Sequence, residues 1–430
     1  GKVITSDKEN ALFVNVILKG TNLGAVTNSE GIFEIRYVIP GTYQLAFSLI
    51  GLEEKTVEIE VKKGQLTDAG TIELNEKLNE LEEAVIVAER LNQFAQKTTD
   101  YVAGVPIKNI ENPQSYSSIT GKLMEEQLVT DLTDAMKSIT GGGGYVKSNE
   151  GNTSVYLRGF RSDSYVKDGM LSFVRVPVDP QNVDRMEIIK GPSAVMFGSA
   201  QNNVSSYGGV LNRVSKKPLA DRSITASYTT GSWDLNRLST DINTPLDKSG
   251  NALFRLNAAY HSENSFKDAG FQRDYLLAPA LSYQFNSNLK LNLSAEFSQS
   301  TRPAFFANAV ATTVTVKTWD ELGWDYYKSY WSNDMAGKFG SKTFNANLEY
   351  QISPNWKSLT AVSTAQIDVQ ANFVRLYVTS NTTLQPWVLQ YMPRSAGSTH
   401  AKQEFLGDFS VGKLKNKLVA GFSYVNVFDD

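Results

Sequence analysis

Four runs in the carboxyl-terminal half alternate apolar and polar residues with a period of two. Their apolar members are Phe254, Leu256, Ala258 and Tyr260; Leu289, Leu291, Leu293, Ala295 and Phe297; Phe344, Ala346, Leu348, Tyr350 and Ile352; and Ala365, Ile367, Val369 and Ala371. Successive side chains of a strand point to opposite faces, so each run predicts a strand with one oily and one wet face. Soluble sheets share that pattern. Membrane-spanning barrel strands add length of about 10 residues or more, aromatics at their ends, and charges on the polar face, here Lys290, Glu296, Glu349 and Asp368. The oily face is expected to meet hydrocarbon and the wet face to line a lumen.

From Ser223 onward the pattern predicts about nine strands of barrel length. Turns at residues 246–251, 286–288, 353–355 and 413–416 are short, whereas the connections at 301–340 and 377–399 are long and aromatic, with Trp319, Trp324, Tyr330, Trp331 and Trp387 among them. Short turns on one side and long loops on the other are the asymmetry of bacterial outer-membrane barrels. Most of these aromatics are expected in a membrane girdle or in loop packing, because they bury large area wherever they sit.

The first half has other rhythms. Residues 1–74 read as a small all-β unit, with short strands at 14–18, 32–35, 43–49 and 55–61 between turn formers such as Gly20-Thr21-Asn22 and Pro40-Gly41. Residues 76–100 are charged and lose that rhythm, which marks a linker. Met124, Leu128, Leu132 and Met136 recur every fourth residue and predict one or two short helices within 121–139. Strand-like pieces follow at 154–157, 183–189 and 210–214.

Composition narrows the chemistry. The 430 residues suggest about two to four domains. A net charge of −3 supplies no basic stripe to displace counterions from phosphates, so no nucleic-acid partner is expected. No segment reaches the length of apolar run a transmembrane helix needs, which leaves a barrel open. There are no cysteines and only two histidines, His261 on the polar side of a strand and His400 in a Ser/Thr/Gly-containing loop. A histidine triad or a two-histidine metal site would need a distant coincidence. The glycines at 141–144 lack the Lys-Ser/Thr ending of a phosphate-cradling loop. No enzymatic activity is expected. The chain starts at Gly1 without a charged and apolar leader, so a secretory signal is expected to have been removed or to lie outside the sequence.

The words Lys19-Gly20-Thr21-Asn22-Leu23-Gly24, Thr27-Asn28-Ser29-Glu30-Gly31-Ile32-Phe33 and Pro40-Gly41-Thr42-Tyr43 resemble the carboxypeptidase regulatory-like domain, a seven-stranded sandwich. That family is accessory, and the resemblance implies no peptidase activity. It recurs at the head of outer-membrane receptors of Bacteroidota. In the linker, Glu83, Ala84, Val85, Ile86, Val87 and Ala88 follow an acidic start and resemble a TonB box, which offers an energy-transducing partner a strand to pair with. An edge strand of the first domain is the alternative for that segment.

Five further words occur in the order of the plug domain of TonB-dependent siderophore receptors. They begin at Pro113, at Val155 (Val-Tyr-Leu-Arg-Gly-Phe), at Lys167 (Lys-Asp-Gly), at Val183 (Val-Asp-Arg-Met-Glu-Ile-Ile-Lys-Gly-Pro-Ser) and at Gly208 (Gly-Gly-Val-Leu-Asn-Arg-Val). The order over about a hundred residues is more specific than any one word. The pattern departs between Ser199 and Tyr207, where a longer loop intervenes. Arg158, Gly159, Phe160, Asp168, Gly169, Glu187, Lys190, Gly191 and Pro192 carry the plug motif. The resemblance implies that Arg158 and Lys190 face glutamates on the inner barrel wall and help lock the plug, with ordinary intradomain ion pairs as the alternative. It also places Arg161, Ser162, Tyr165 and Phe173 toward the outer mouth as candidate ligand contacts, where aromatic faces and guanidinium donors suit a bulky anionic chelate.

The expected fold is mainly β: a regulatory-like β-sandwich (1–75), a linker with the candidate TonB box (76–100), an α+β plug (101–220) and the first strands of a transmembrane antiparallel barrel (221–430). A complete plugged barrel has about 22 strands, so the remainder is expected outside this sequence. The function implied is TonB-dependent import of a ferric siderophore across the outer membrane of a Gram-negative cell. A glycan or peptide importer of the same architecture is the alternative, and a secreted β-sandwich adhesin a remote one. Expected partners are the TonB-ExbB-ExbD complex, the ferric siderophore and outer-membrane lipid. Iron would arrive within its chelate, with no resident cofactor, and the first domain would lie in the periplasm.

Overall fold

The structure is a computed structural model that describes the chain except residues 7, 22, 50–51, 53, 76–97, 105–106, 109–111, 113, 148–150, 164, 192–206, 306–307, 391–392, 413 and 430. The candidate TonB box, residues 83–88, and Pro192 lie outside the described residues, as does most of the departing loop before Tyr207. The chain divides into two units, Gly1–Thr98 and Thr99–Asp430.

In the first unit, β2 (Asn15–Leu18), β3 (Gly24–Val26), β4 (Gly41–Ser48) and β5 (Lys55–Val61) form an antiparallel sheet in the order β3-β2-β4-β5, and β1 (Lys2–Thr5) runs parallel to β6 (Thr71–Leu74). Alternation sets the inward face: Val16, Leu18, Leu45, Phe47 and Leu74 are buried, and Phe33 meets Phe47 edge-on at 5.5 Å. The predicted strand at 32–35 does not form. Ile32 makes only a bridge to Lys2, and Phe33 reaches the core from a loop. Six strands are therefore present among the described residues, against the seven the resemblance implied.

The boundary falls within β7 (Thr98–Thr99), and the second unit goes on with a helical turn at Asp100–Ala103 and β8 (Ile107–Lys108). The plug follows. It holds β9 (Tyr116–Thr120), β10 (Gly142–Lys147), β11 (Thr153–Leu157), β12 (Phe160–Asp163), β13 (Val166–Lys167), β14 (Met170–Leu171), β15 (Val183–Lys190) and β16 (Gly209–Ser215). Five of them form a sheet in the order β14-β13-β16-β15-β9, and β10-β11-β12 form another. The helical stretch is split, Gly121–Glu126 and Leu132–Ala135. Thr120 and Asp131 cap the two pieces through their side-chain oxygens. Leu128 adopts φ +51° and is exposed, so it leaves the stripe its spacing suggested. Met124, Leu132 and Met136 pack on Met186 and Ile188 of β15.

Nine long antiparallel strands then lie side by side: β17 (Ser223–Gly231), β18 (Leu235–Pro245), β19 (Ala252–Asn264), β20 (Phe271–Asn286), β21 (Leu289–Phe305), β23 (Ala336–Ser353), β24 (Trp356–Gln370), β27 (Arg394–Val411) and β28 (Leu414–Asp429). Three short strands, β22 (Ala309–Val310), β25 (Asn372–Ser380) and β26 (Thr383–Gln390), lie within the long connections. The long strands exceed the predicted bounds, because ladder pairing continues past the apolar band. The β21 to β23 connection spans only 306–335, β27 already contains His400, and the last short turn closes at Gly412 before Leu414.

Tyr260, Leu277, Leu293, Phe344 and Leu348 are exposed on the outer face, while Asn257, His261, Glu296 and Ser300 on the same strands are buried on the inner one. An apolar face this broad and exposed has no partner but lipid. The run at 365–371 reverses the expectation. Ala365, Ile367 and Val369 point inward and are buried, and Gln366 and Asp368 lie on the outer side. Toward the long connections the wall has passed beyond the apolar band, and its inner face there packs on apolar plug residues. No helix among the described residues is long and apolar enough to cross a membrane, which says nothing of a barrel.

Candidate functional site: the plug and its wall

Two of the sequence words are turns. Leu157 pairs with Phe160 across Arg158 (φ +51°) and Gly159 (φ +84°), and Lys167 pairs with Met170 across Asp168 (φ +51°) and Gly169 (φ +71°). Two successive residues with positive φ make the tight turn that matches the twist of a hairpin. The second turn is tied to β16: Asp168 Oδ1 accepts from the Ser215 amide at 2.7 Å, and the Gly169 amide donates to Asn212 Oδ1 at 3.0 Å. A side chain at Gly169 would stand 2.5 Å from the Tyr101 ring.

Glu187, at the centre of the plug sheet, is fully buried. Its Oε1 accepts from the Thr99 hydroxyl at 2.6 Å and from Arg185 Nε at 2.9 Å, and its Oε2 accepts from Asn212 Nδ2 at 2.9 Å. A buried carboxylate is tolerable only when its lone pairs are filled in this way. Glu187 thus acts inside the plug, binding its first residues to β15 and β16.

The wall supplies a second buried carboxylate. Glu296, on the inner face of β21, accepts from Arg213 Nη1 at 2.7 Å, Lys167 Nζ at 3.2 Å and Asn182 Nδ2 at 2.6 Å, and both cations are at most 4% exposed. Farther along, Arg237 of β18 makes a two-pronged pair with Asp179 of the plug at 2.7 Å on each prong. Asp241 of β18 takes Lys216 at 3.0 Å and Arg255 at 2.8 Å. On the other flank the contact is dry: Tyr165, Phe173, Val174 and Val176 pack on Phe339, Ile367, Val369 and Ala396. Two backbone amides finish that seam, Leu171 donating to His400 Nδ1 at 2.9 Å and Phe173 to Ser398 Oγ at 3.0 Å.

The two cations expected to lock the plug pair with no glutamate of the described wall. Among the described residues Arg158 makes no ion pair; it is exposed on its turn, with its guanidinium beside Gly191. Lys190 Nζ reaches Thr140 Oγ1 at 3.3 Å and, among the described residues, no wall glutamate. The described wall is gripped by Lys167 and Arg213, which lie within the recognised words but were not singled out. Glu296 was visible only as one polar member of an alternating run, and burial, which makes it an anchor, leaves no mark in composition.

The mouth candidates are also rearranged. Tyr165 and Phe173 are 2% and 6% exposed, with rings 5.2 Å apart, because the inner wall opposite them is apolar. Burial, with Asp163 adding to it, raises the pKa of the Tyr165 hydroxyl. Ser162 is buried, and only Arg161 keeps an accessible side chain, held by Asp163 at 3.1 Å. The aromatic and cationic surface lies instead in the long connections. Tyr377 packs on Trp387 at 4.5 Å with Arg375 at 6.0 Å from the Tyr377 ring, and Trp324 lies tilted between Trp319 at 4.9 Å and Tyr330 at 4.8 Å.

Comparison with known proteins fits this geometry. Residues 1–86 match the CarboxypepD_reg-like domain and residues 108–204 the TonB-dependent Receptor Plug Domain. Residues 108–204 thus carry the plug domain of TonB-dependent receptors, and the relatives found are receptors of that kind. The chain is 27% identical to the metal-pseudopaline receptor CntO of Pseudomonas aeruginosa over 256 residues, 59% of this chain and 34% of that protein. It is 24% identical to the ferripyoverdine receptor of the same species over 279 residues, 61% of this chain and 32% of that protein. The chain thus spans about a third of the length of these relatives. The crystal structure of BauA, the ferric preacinetobactin receptor of Acinetobacter baumannii, superposes with a TM-score of 0.70 at 19% identity, over 79% of this chain and 50% of that one. That likeness places the chain in the same fold. The relatives are transport receptors and not enzymes.

Proposed function

We propose that the full-length receptor imports a ferric siderophore, or a closely similar metal chelate, across the outer membrane, powered through its linker by the TonB-ExbB-ExbD complex. The observation that carries this reading is the seam of buried ion pairs between plug and wall, centred on Glu296. Breaking a buried pair costs about 3–5 kcal/mol, so a plug held by several of them does not move aside at useful rates without work done on it. The relatives named above for pseudopaline and pyoverdine supply the cargo class. The Trp, Tyr and Arg side chains of the long connections suit planar anionic chelates by stacking and charge-assisted hydrogen bonds. Residues 83–88 would be the strand offered to TonB, and deleting them should abolish uptake. Uptake of a panel of ferric siderophores and glycans by cells with and without the full-length gene tests the reading: it predicts iron accumulation from at least one chelate, and accumulation of glycans alone would contradict it.

A further inference from the structure

One strand of the plug touches both ends of the path from linker to wall. β16 carries Asn212 and Arg213 in succession, and neighbouring side chains on a strand point to opposite faces. On one face Asn212 donates to Glu187, which holds the Thr99 hydroxyl. On the other, Arg213 donates to Glu296 of the wall. The same two residues hold the turn behind Lys167, the second cation on Glu296: Asn212 Oδ1 accepts from the Gly169 amide and the Arg213 carbonyl from the Asp168 amide at 2.9 Å. Tyr101, two residues beyond Thr99, lies directly against Gly169. Thr99, Glu187, Asn212, Lys167, Arg213 and Glu296 are all buried, so none exchanges its partner for water cheaply.

We propose that Thr99 and Glu187 form a joint that couples the first residues of the plug to the Glu296 anchor, so that displacing Thr99 loosens the grip of Lys167 and Arg213 on the wall. The proposal deepens the import reading and rests on it. Thr99 is the first residue of the second unit, and any pull arriving along the linker meets it first. When Thr99 moves, Glu187 loses a donor and Tyr101 leaves the Asp168-Gly169 turn. That turn then loses its support on one side while Asn212 reorients on the other. Thr99 and Glu187 are positioning residues, acting on the anchor through Asn212 and the turn. Coupling of this kind is reciprocal, so releasing the anchor must also loosen residues 99–103.

Backbone hydrogen exchange on the purified full-length receptor in detergent reads both ends without cargo or TonB. Thr99→Val is expected to speed exchange at residues 166–171 about tenfold, within the usual range of coupling between sites, and Thr99→Ser to restore the wild-type rate. If Thr99→Val does not accumulate, Glu296→Gln carries the test in reverse and is expected to speed exchange at 99–103. Acceleration confined to the mutated end, in either variant, would overturn the joint. Coupled ends in a receptor that imports nothing would uphold the joint and overturn the import reading; uncoupled ends in an active importer would do the opposite.

Discussion

Glu296 brings two cations and an amide to one carboxylate inside the wall, and its worth lies in what its loss leaves behind. Glu296→Gln strands Lys167 and Arg213 as buried positive charges, at an expected cost of about 3–5 kcal/mol in plug docking, measured as a lower urea midpoint for exposure of the plug to protease. Asp131 offers a pH-dependent counterpart within the plug. Burial would raise its pKa, but Lys147 at 2.5 Å and the hydrogen bonds of Thr133 outweigh that and hold it below the ordinary carboxylate value. A depressed folded-state pKa contributes stability that is present above the unfolded value and lost as pH falls through the folded one. Melting temperature followed from neutral into acid should therefore drop less in Asp131→Asn than in the wild type. At this scale the sequence was only partly legible. The words around Arg158 and Lys190 announced a plug, but which charges are buried against which wall depends on contacts between residues more than a hundred positions apart, such as Lys167 and Glu296.

The hairpins and strands were more legible, because their signals are local. The plug word Asp168-Gly169 is a turn that requires glycine at its second position for two reasons: φ is positive at Gly169 and the Tyr101 ring leaves no room for a side chain. Gly169→Ala should cost at least about 1–2 kcal/mol from the backbone alone, seen as a lowered melting temperature. The alternation at 289–297 correctly gave an oily outer face, and Leu293 sits at its middle. Leu293→Arg should destabilise the folded barrel in lipid by about 2–4 kcal/mol, whereas Gln366→Arg, on the outer side beyond the band, should cost about 0–1 kcal/mol, both by chemical denaturation in bilayers. The run at 365–371 has the same period and the opposite orientation. Periodicity fixes that two faces differ; which of them meets lipid depends on depth and on what the plug presents.

For the molecule, the sandwich, plug and wall were each visible as changes of rhythm and as ordered words, while the strand lengths and the course of the long connections were not, since aromatic loops follow no period. The central claim is that the corked wall opens only when the linker is pulled. It is tested most directly by deleting residues 83–88 from the full-length receptor and measuring, in the same cells, surface binding and uptake of a radioactive ferric siderophore that the wild type transports. The account predicts unchanged binding with uptake reduced to the level of cells lacking the gene. Uptake by the deletion variant at the wild-type rate would contradict it.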